Sequence, residues 1–99
     1  MSDLKNFWQD QMKDPAFRGV VDKMQARREV ANAIFNARIA KDLTQKDLAN
    51  LAKVSQGDIS RFENEEKDIN LNTLDKIARA LGYRVKIEFI SPEEADKRL

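Results

Sequence analysis

With 99 residues, 18 basic and 17 acidic side chains and a formal net charge of +1, the chain can build one small core but no large catalytic cleft. It contains no cysteine and no histidine, which removes disulfides, thiolate metal sites and the commonest general base. No Gly-rich phosphate loop and no pair of carboxylates set for acid–base work is present. Acidic residues are scattered as on solvated helix faces, so neither an enzyme nor a cofactor or metal site is expected.

The N-terminus lacks a continuous apolar run, and a cytoplasmic chain without signal peptide or membrane span is expected. A short helix is predicted over residues 4–12, with Leu4, Phe7, Trp8 and Met12 partly on one stripe. Asp14-Pro15 has the form of an N-cap followed by a first-turn proline. The helix it opens carries Phe17, Val20, Val21 and Met24 on its apolar positions. That helix either continues through Val30, Ile34 and Ala37 or breaks near Gln25. Phe7, Trp8, Met12 and Phe17 are candidate anchors for a partner protein, since aromatic and Met side chains on a helix often serve that way. The alternative is that they pack on their own domain.

The segment LTQKDLANLAKVSQGDISRFEN, Leu43 to Asn64, has the pattern of two short helices joined by a tight turn. Thr44 caps the first, whose Leu48, Ala49 and Ala52 share a face. Ser55 caps the second, which buries Ile59 and Phe62 and leaves Gln56, Asp58, Ser60, Arg61 and Asn64 facing outward. Gln and Arg near a helix N-terminus suit base edges in a DNA major groove. A small residue at Ala49 lets the helices cross closely. The pattern is that of a helix-turn-helix.

A last helix follows, capped by Asn70 or Asn72, with Leu71, Leu74, Ile77, Ala78 and Leu81 as its core stripe and Gly82 at its C-terminal stop. Beyond it YRVKIEFI alternates, placing Tyr83, Val85, Ile87 and Phe89 on one face and Arg84, Lys86 and Glu88 on the other. A period of two predicts a half-buried strand. No other segment has a strand pattern, so this one either pairs with a strand from a second copy of the chain or from another protein, or is a short extended arm lying on its own helices. Those four apolar residues are the candidate dimerisation face. A two-fold dimer would set two recognition helices about 34 Å apart, one turn of DNA, over the halves of a palindrome.

The motifs LTQKDLA, VSQGDISRFEN and LNTLDKIARALGY resemble the phage-repressor-type helix-turn-helix domain of the XRE family, over about Val30 to Leu81. The resemblance implies a mainly all-α fold, a five-to-six-helix domain with an N-terminal helical extension and one C-terminal β-strand. It implies that Gln56 and Arg61 face bases of double-stranded DNA, with Asp58 and Ser60 nearby. Thr44, Gln45, Ser55 and Asn64 would hold phosphates, and Arg38 would brace Glu63. Three departures stand out. Lys53 occupies a turn position where the family usually has Gly, costing about 1 kcal/mol if its backbone is left-handed. Gly57 strips a side chain from the reading face, and Glu65-Glu66 replace a position where Gly often sits. Lys53 and Gly57 belong to the candidate DNA-binding set all the same.

The whole order, from short helix and DPAF through the helix-turn-helix to LGYRVKIEFI, is similar to the HigA-type antitoxins of bacterial toxin–antitoxin pairs. That resemblance implies a homodimeric repressor of its own operon that neutralises a RelE-like, HigB-type mRNA-cleaving toxin. A stand-alone XRE-family regulator without a toxin is the alternative. The expected organisation is an N-terminal extension over 1–27 for partner binding, the DNA-binding domain over 28–82, and a dimerising strand and tail over 83–99. Charge adds a constraint: residues 18–41 carry six basic and two acidic side chains, but residues 42–67 carry four basic and six acidic. Cations around the rim, Lys41, Lys46, Lys53 and Lys67, or the preceding helix would have to supply the attraction to phosphate. Arg27 and Arg28 have the character of a solvated face at least as much as of a DNA contact.

Overall fold

Proline at a first helical position loses nothing, because that amide has no helical acceptor, and Pro15 indeed begins the first helix. The computed structural model describes residue 13 and residues 15–93, with the side chains of the first helix described from Met24 onward. These residues form α1 (Pro15–Ala40), α2 (Gln45–Ala52), α3 (Gln56–Glu63) and α4 (Leu71–Ala80). The chain is all-helical over this range. Among the described residues no helix is long and apolar enough to cross a membrane.

Helix α1 settles the first open alternative, since its 26 residues run unbroken past Gln25, a rod of about 39 Å. The division expected between residues 27 and 28 falls inside it. The expected five to six helices are therefore four among the described residues, because residues 15–40 form one helix. The short helix expected over 4–12, with Phe7, Trp8 and Met12, lies outside the described residues, as does the side chain of Phe17.

The core follows from the apolar periods of the three short helices. Leu48, Ala49 and Ala52 of α2, Ile59 and Phe62 of α3, Ile77 of α4 and Leu81 just beyond it are buried against Ile34 of α1. Helix α3 packs between α1 and α2, and α2 also packs on α4. Val30, Ala37, Leu43, Val54, Ile69 and Leu74 close the rim of this cluster. Leu71 departs from the expected stripe. It is the first residue after the Asn70 cap, overhangs the core and remains 65% exposed.

Each of the four helices is followed by a left-handed residue. After α4, the Tyr83 amide donates to Ala78 O at 2.8 Å and the Gly82 amide to Arg79 O at 3.0 Å, with Gly82 at φ +82°. This pair of bonds requires a left-handed residue at the stop. The same pair of bonds follows α1 and α3, whereas after α2 the Val54 and Lys53 amides both donate to Ala49 O. The left-handed residues at these stops are Asp42, Glu65 and Lys53, at φ 57°, 62° and 57°. Three side-chain-bearing residues thus accept a conformation that glycine takes freely. The condition attached to Lys53 is met.

The C-terminal segment corrects the expectation of a strand. Among the described residues no stretch forms a strand, and Tyr83 to Ile90 makes no ladder. Tyr83, Ile87 and Phe89, expected on a half-buried face with Val85, are exposed, Phe89 to 98%. The reason is local: a strand exists through its neighbour's backbone, and the protomer offers none. The segment instead borders a cleft of about 1340 Å³ whose other walls are α1 and α4.

Candidate nucleic-acid interface

Helices α2 and α3 are only eight residues each, too short to persist alone in water, so their ends and their packing must hold them. Thr44 Oγ1 accepts the Asp47 amide at 3.0 Å, and Asp47 Oδ2 accepts the Thr44 amide at 3.0 Å. This reciprocal cap satisfies two donors that a helix start leaves open. At the start of α3, Ser55 Oγ accepts the Asp58 amide at 3.1 Å. Asn70 rather than Asn72 caps α4, its Oδ1 taking the Thr73 amide at 2.8 Å.

One buried ion pair sets α3 against α1. The Arg38 guanidinium, 8% exposed, donates through Nε to Glu63 Oε2 at 2.8 Å and through Nη2 to Glu63 Oε1 at 2.9 Å. Its Nη1 reaches Leu43 O at 2.7 Å, so the same side chain also fixes the turn into α2. The Glu63 hydrogen bonds raise the Arg38 pKa above its ordinary value against the opposing effect of burial. The brace implied by the family resemblance is present. Gln45 joins it, donating from Nε2 to Glu63 Oε1 at 3.3 Å.

With Ile59 and Phe62 turned inward, the other side of α3 carries Gln56, Gly57, Ser60, Arg61 and Asn64, which helical geometry places on one continuous face. Gln56, Gly57, Arg61 and Asn64 are exposed, as are Thr44, Lys53 and Ser55, whereas Gln45, Asp58 and Ser60 are partly covered. Asn64 Nδ2 donates to Ser60 Oγ at 3.3 Å, one turn back. Arg61 Nη1 donates to Asp58 Oδ1 at 3.1 Å, and Lys67 Nζ donates to the same oxygen at 2.9 Å. These bonds, Lys67 foremost, hold the Asp58 carboxyl below its usual range. The Thr44 amide and hydroxyl do the same for Asp47.

Much of the acidic charge of residues 42–67 is answered by partners in the segment itself and on α1. Asp47 serves a cap, Asp58 binds two cations, Glu63 binds Arg38, and Glu65 lies 3.5 Å from Arg28. Arg27 donates to Asp68 at 2.7 Å, so Arg27 and Arg28 tie α1 to the loop after α3. Of the rim cations, Lys46 and Lys53 are exposed, Lys67 is committed to Asp58, and Lys41 sits 5.5 Å over the Tyr83 ring. Sequence reasoning missed the roles of Lys67 and Gln45. Both act across a turn on a partner at least nine residues away, where no helical spacing signals the contact.

Residues 34–87 match the Helix-turn-helix family. Two curated relatives, both called Antitoxin HigA1, come from Mycobacterium tuberculosis strains CDC 1551 / Oshkosh and ATCC 25618 / H37Rv. Each is 34% identical over 74 residues, which cover 75% of this chain and 50% of the relative. The chain thus spans about half the length of the curated relatives it matches. No solved structure gives a significant match. The capped α2–turn–α3 unit, its Arg38–Glu63 brace and this match agree: the chain belongs to the helix-turn-helix family, in its phage-repressor-like XRE form.

Proposed function

We propose that the chain is an antitoxin that represses its own operon through α3 and neutralises a RelE-like, HigB-type toxin. The observation that carries the DNA half is a capped, braced α3 whose exposed face bears Gln56 and Arg61. In this reading Gln56 and Arg61 contact base edges, Arg61 a guanine and Gln56 an adenine by their hydrogen-bonding patterns. Thr44, Ser55 and Asn64, with the first-turn amides of α2 and α3, hold phosphates, and Lys53 adds charge to the rim. Gln45 reaches a phosphate by leaving Glu63, to which its 3.3 Å bond is the longest in the brace.

The toxin half rests on the likeness to proteins named Antitoxin HigA1. Phe7, Trp8, Met12 and Phe17 are its proposed anchors. Dimerisation through Tyr83, Val85, Ile87 and Phe89 is supported by the exposure of that segment beside the α1–α4 cleft. A second copy seated there would cover the apolar side chains.

Native co-purification of the full chain from its own cells, with mass spectrometry of what stays bound, tests the toxin half. A stoichiometric small basic protein supports it. A homodimer without partner would leave a stand-alone regulator.

A further inference from the structure

Gly57, the second residue of α3, lies on its exposed face, where it lowers helix propensity and offers no side chain to DNA. Its surroundings explain the choice. A Cβ built on Gly57 would lie 3.2 Å from Arg61 Nη1 and 3.7 Å from both Arg61 Cζ and Nη2. The guanidinium therefore lies back across the bare backbone of Gly57, one turn toward the helix N-terminus. Asp58 holds it there by the 3.1 Å bond to Nη1. Lys67, reaching in from the loop after α3, shares the same Asp58 oxygen at 2.9 Å.

Arg61 is 54% exposed in this arrangement. Asp58 occupies one of its five N–H donors, and among the described residues Nε and Nη2 carry no hydrogen bond. A guanidinium anchored at one nitrogen and open on the others has the fork a guanine O6/N7 edge accepts. The anchoring carboxylate also repels phosphate. It therefore penalises any docking in which Arg61 is not engaged by a base, with Lys67 supplying the cation that keeps the cluster net positive.

We propose that Asp58 is a positioning residue that sets sequence specificity, holding Arg61 across Gly57 for a guanine and discouraging non-specific DNA. The proposal rests on the reading of α3 as the DNA-contacting helix and names how that helix discriminates. It gives Gly57 a role as the gap that receives the guanidinium.

The test compares the full chain with Asp58→Ala, Asp58→Asn and Gly57→Ala on two probes at one salt concentration. One probe is the duplex upstream of the chain's own gene, and the other is a shuffled duplex of the same composition. Asp58→Ala is expected to tighten binding to the shuffled duplex and to lower the ratio of the two affinities about fivefold. Asp58→Asn, which keeps an acceptor and loses the charge, should lie between. Gly57→Ala should melt higher, because Ala favours a helix, yet bind the upstream duplex more weakly. Binding that tightens equally on both probes in Asp58→Ala, or a Gly57→Ala that keeps its affinity, overturns the positioning role. A wild-type chain that does not distinguish the probes instead overturns the DNA reading beneath it.

Discussion

Residues 44–64 and residues 83–90 are both exposed over much of their length, yet they differ in what their exposure leaves undone. In the helix-turn-helix the starts and stops of α2 and α3 are capped, the apolar residues Leu48, Ile59 and Phe62 are buried, and Glu63 is matched to Arg38. The outward side chains there are polar and available while the fold is complete without them. Along residues 83–90 the apolar members Ile87 and Phe89 face solvent, and the backbone forms no ladder. A surface of the first kind suits a ligand that is bound and released, such as a duplex. The second kind suits a permanent neighbour that completes the structure.

The sharpest way to break this contrast is to attack the brace. Glu63→Ala leaves a nearly buried Arg38 charge unanswered and should cost about 3 kcal/mol or more in urea unfolding. A loss near zero would mean that α3 is held by apolar packing alone. Leu48→Ala, at a site with 0% exposure, should cost about 3 kcal/mol. Phe89→Ala, at the opposite extreme, should change protomer stability by less than about 0.5 kcal/mol while weakening self-association in sedimentation. Equal losses for the two substitutions would erase the distinction between the regions.

Smaller effects sharpen it further. Lys53→Gly relieves a left-handed backbone and should stabilise the fold by about 1 kcal/mol. If Lys53 also lies near phosphate, the variant binds DNA less tightly despite its higher melting point. Acid gives a directional prediction. Asp47 and Asp58 have pKa values depressed below the ordinary 3.8 in the folded chain. Their contribution to stability is present above that value and lost as pH falls through the folded ones. Melting temperature should drop as pH falls below 3.8, and Asp47→Asn should flatten that slope. A slope unchanged by the substitution would remove the Thr44–Asp47 cap from the account.

Much of α2, α3 and α4 was legible because its signals are local. Thr44, Ser55 and Asn70 sit directly before apolar periods, and Gly82 directly after one. The sequence does not decide whether α1 runs unbroken, since no proline or glycine near Gln25 favours a break and no cap excludes one. The strand was expected from a period of two, a pattern that records which side chains want burial but not whether a neighbouring strand exists. The reading face was legible as a set of residue types. Its wiring was not, since Gln45 to Glu63 and Lys67 to Asp58 depend on how α2 and the loop after α3 fold back. Leu71 had the right period and the wrong place, one residue past a cap.

The most direct test of the central claim, that α3 is the surface that meets DNA, is a fluorescence anisotropy titration of the duplex upstream of the chain's own gene. Wild type and Arg61→Ala would be compared. The account predicts a loss of about 1–3 kcal/mol in binding to that duplex, with little change on a shuffled one. An unchanged affinity for the upstream duplex would contradict it.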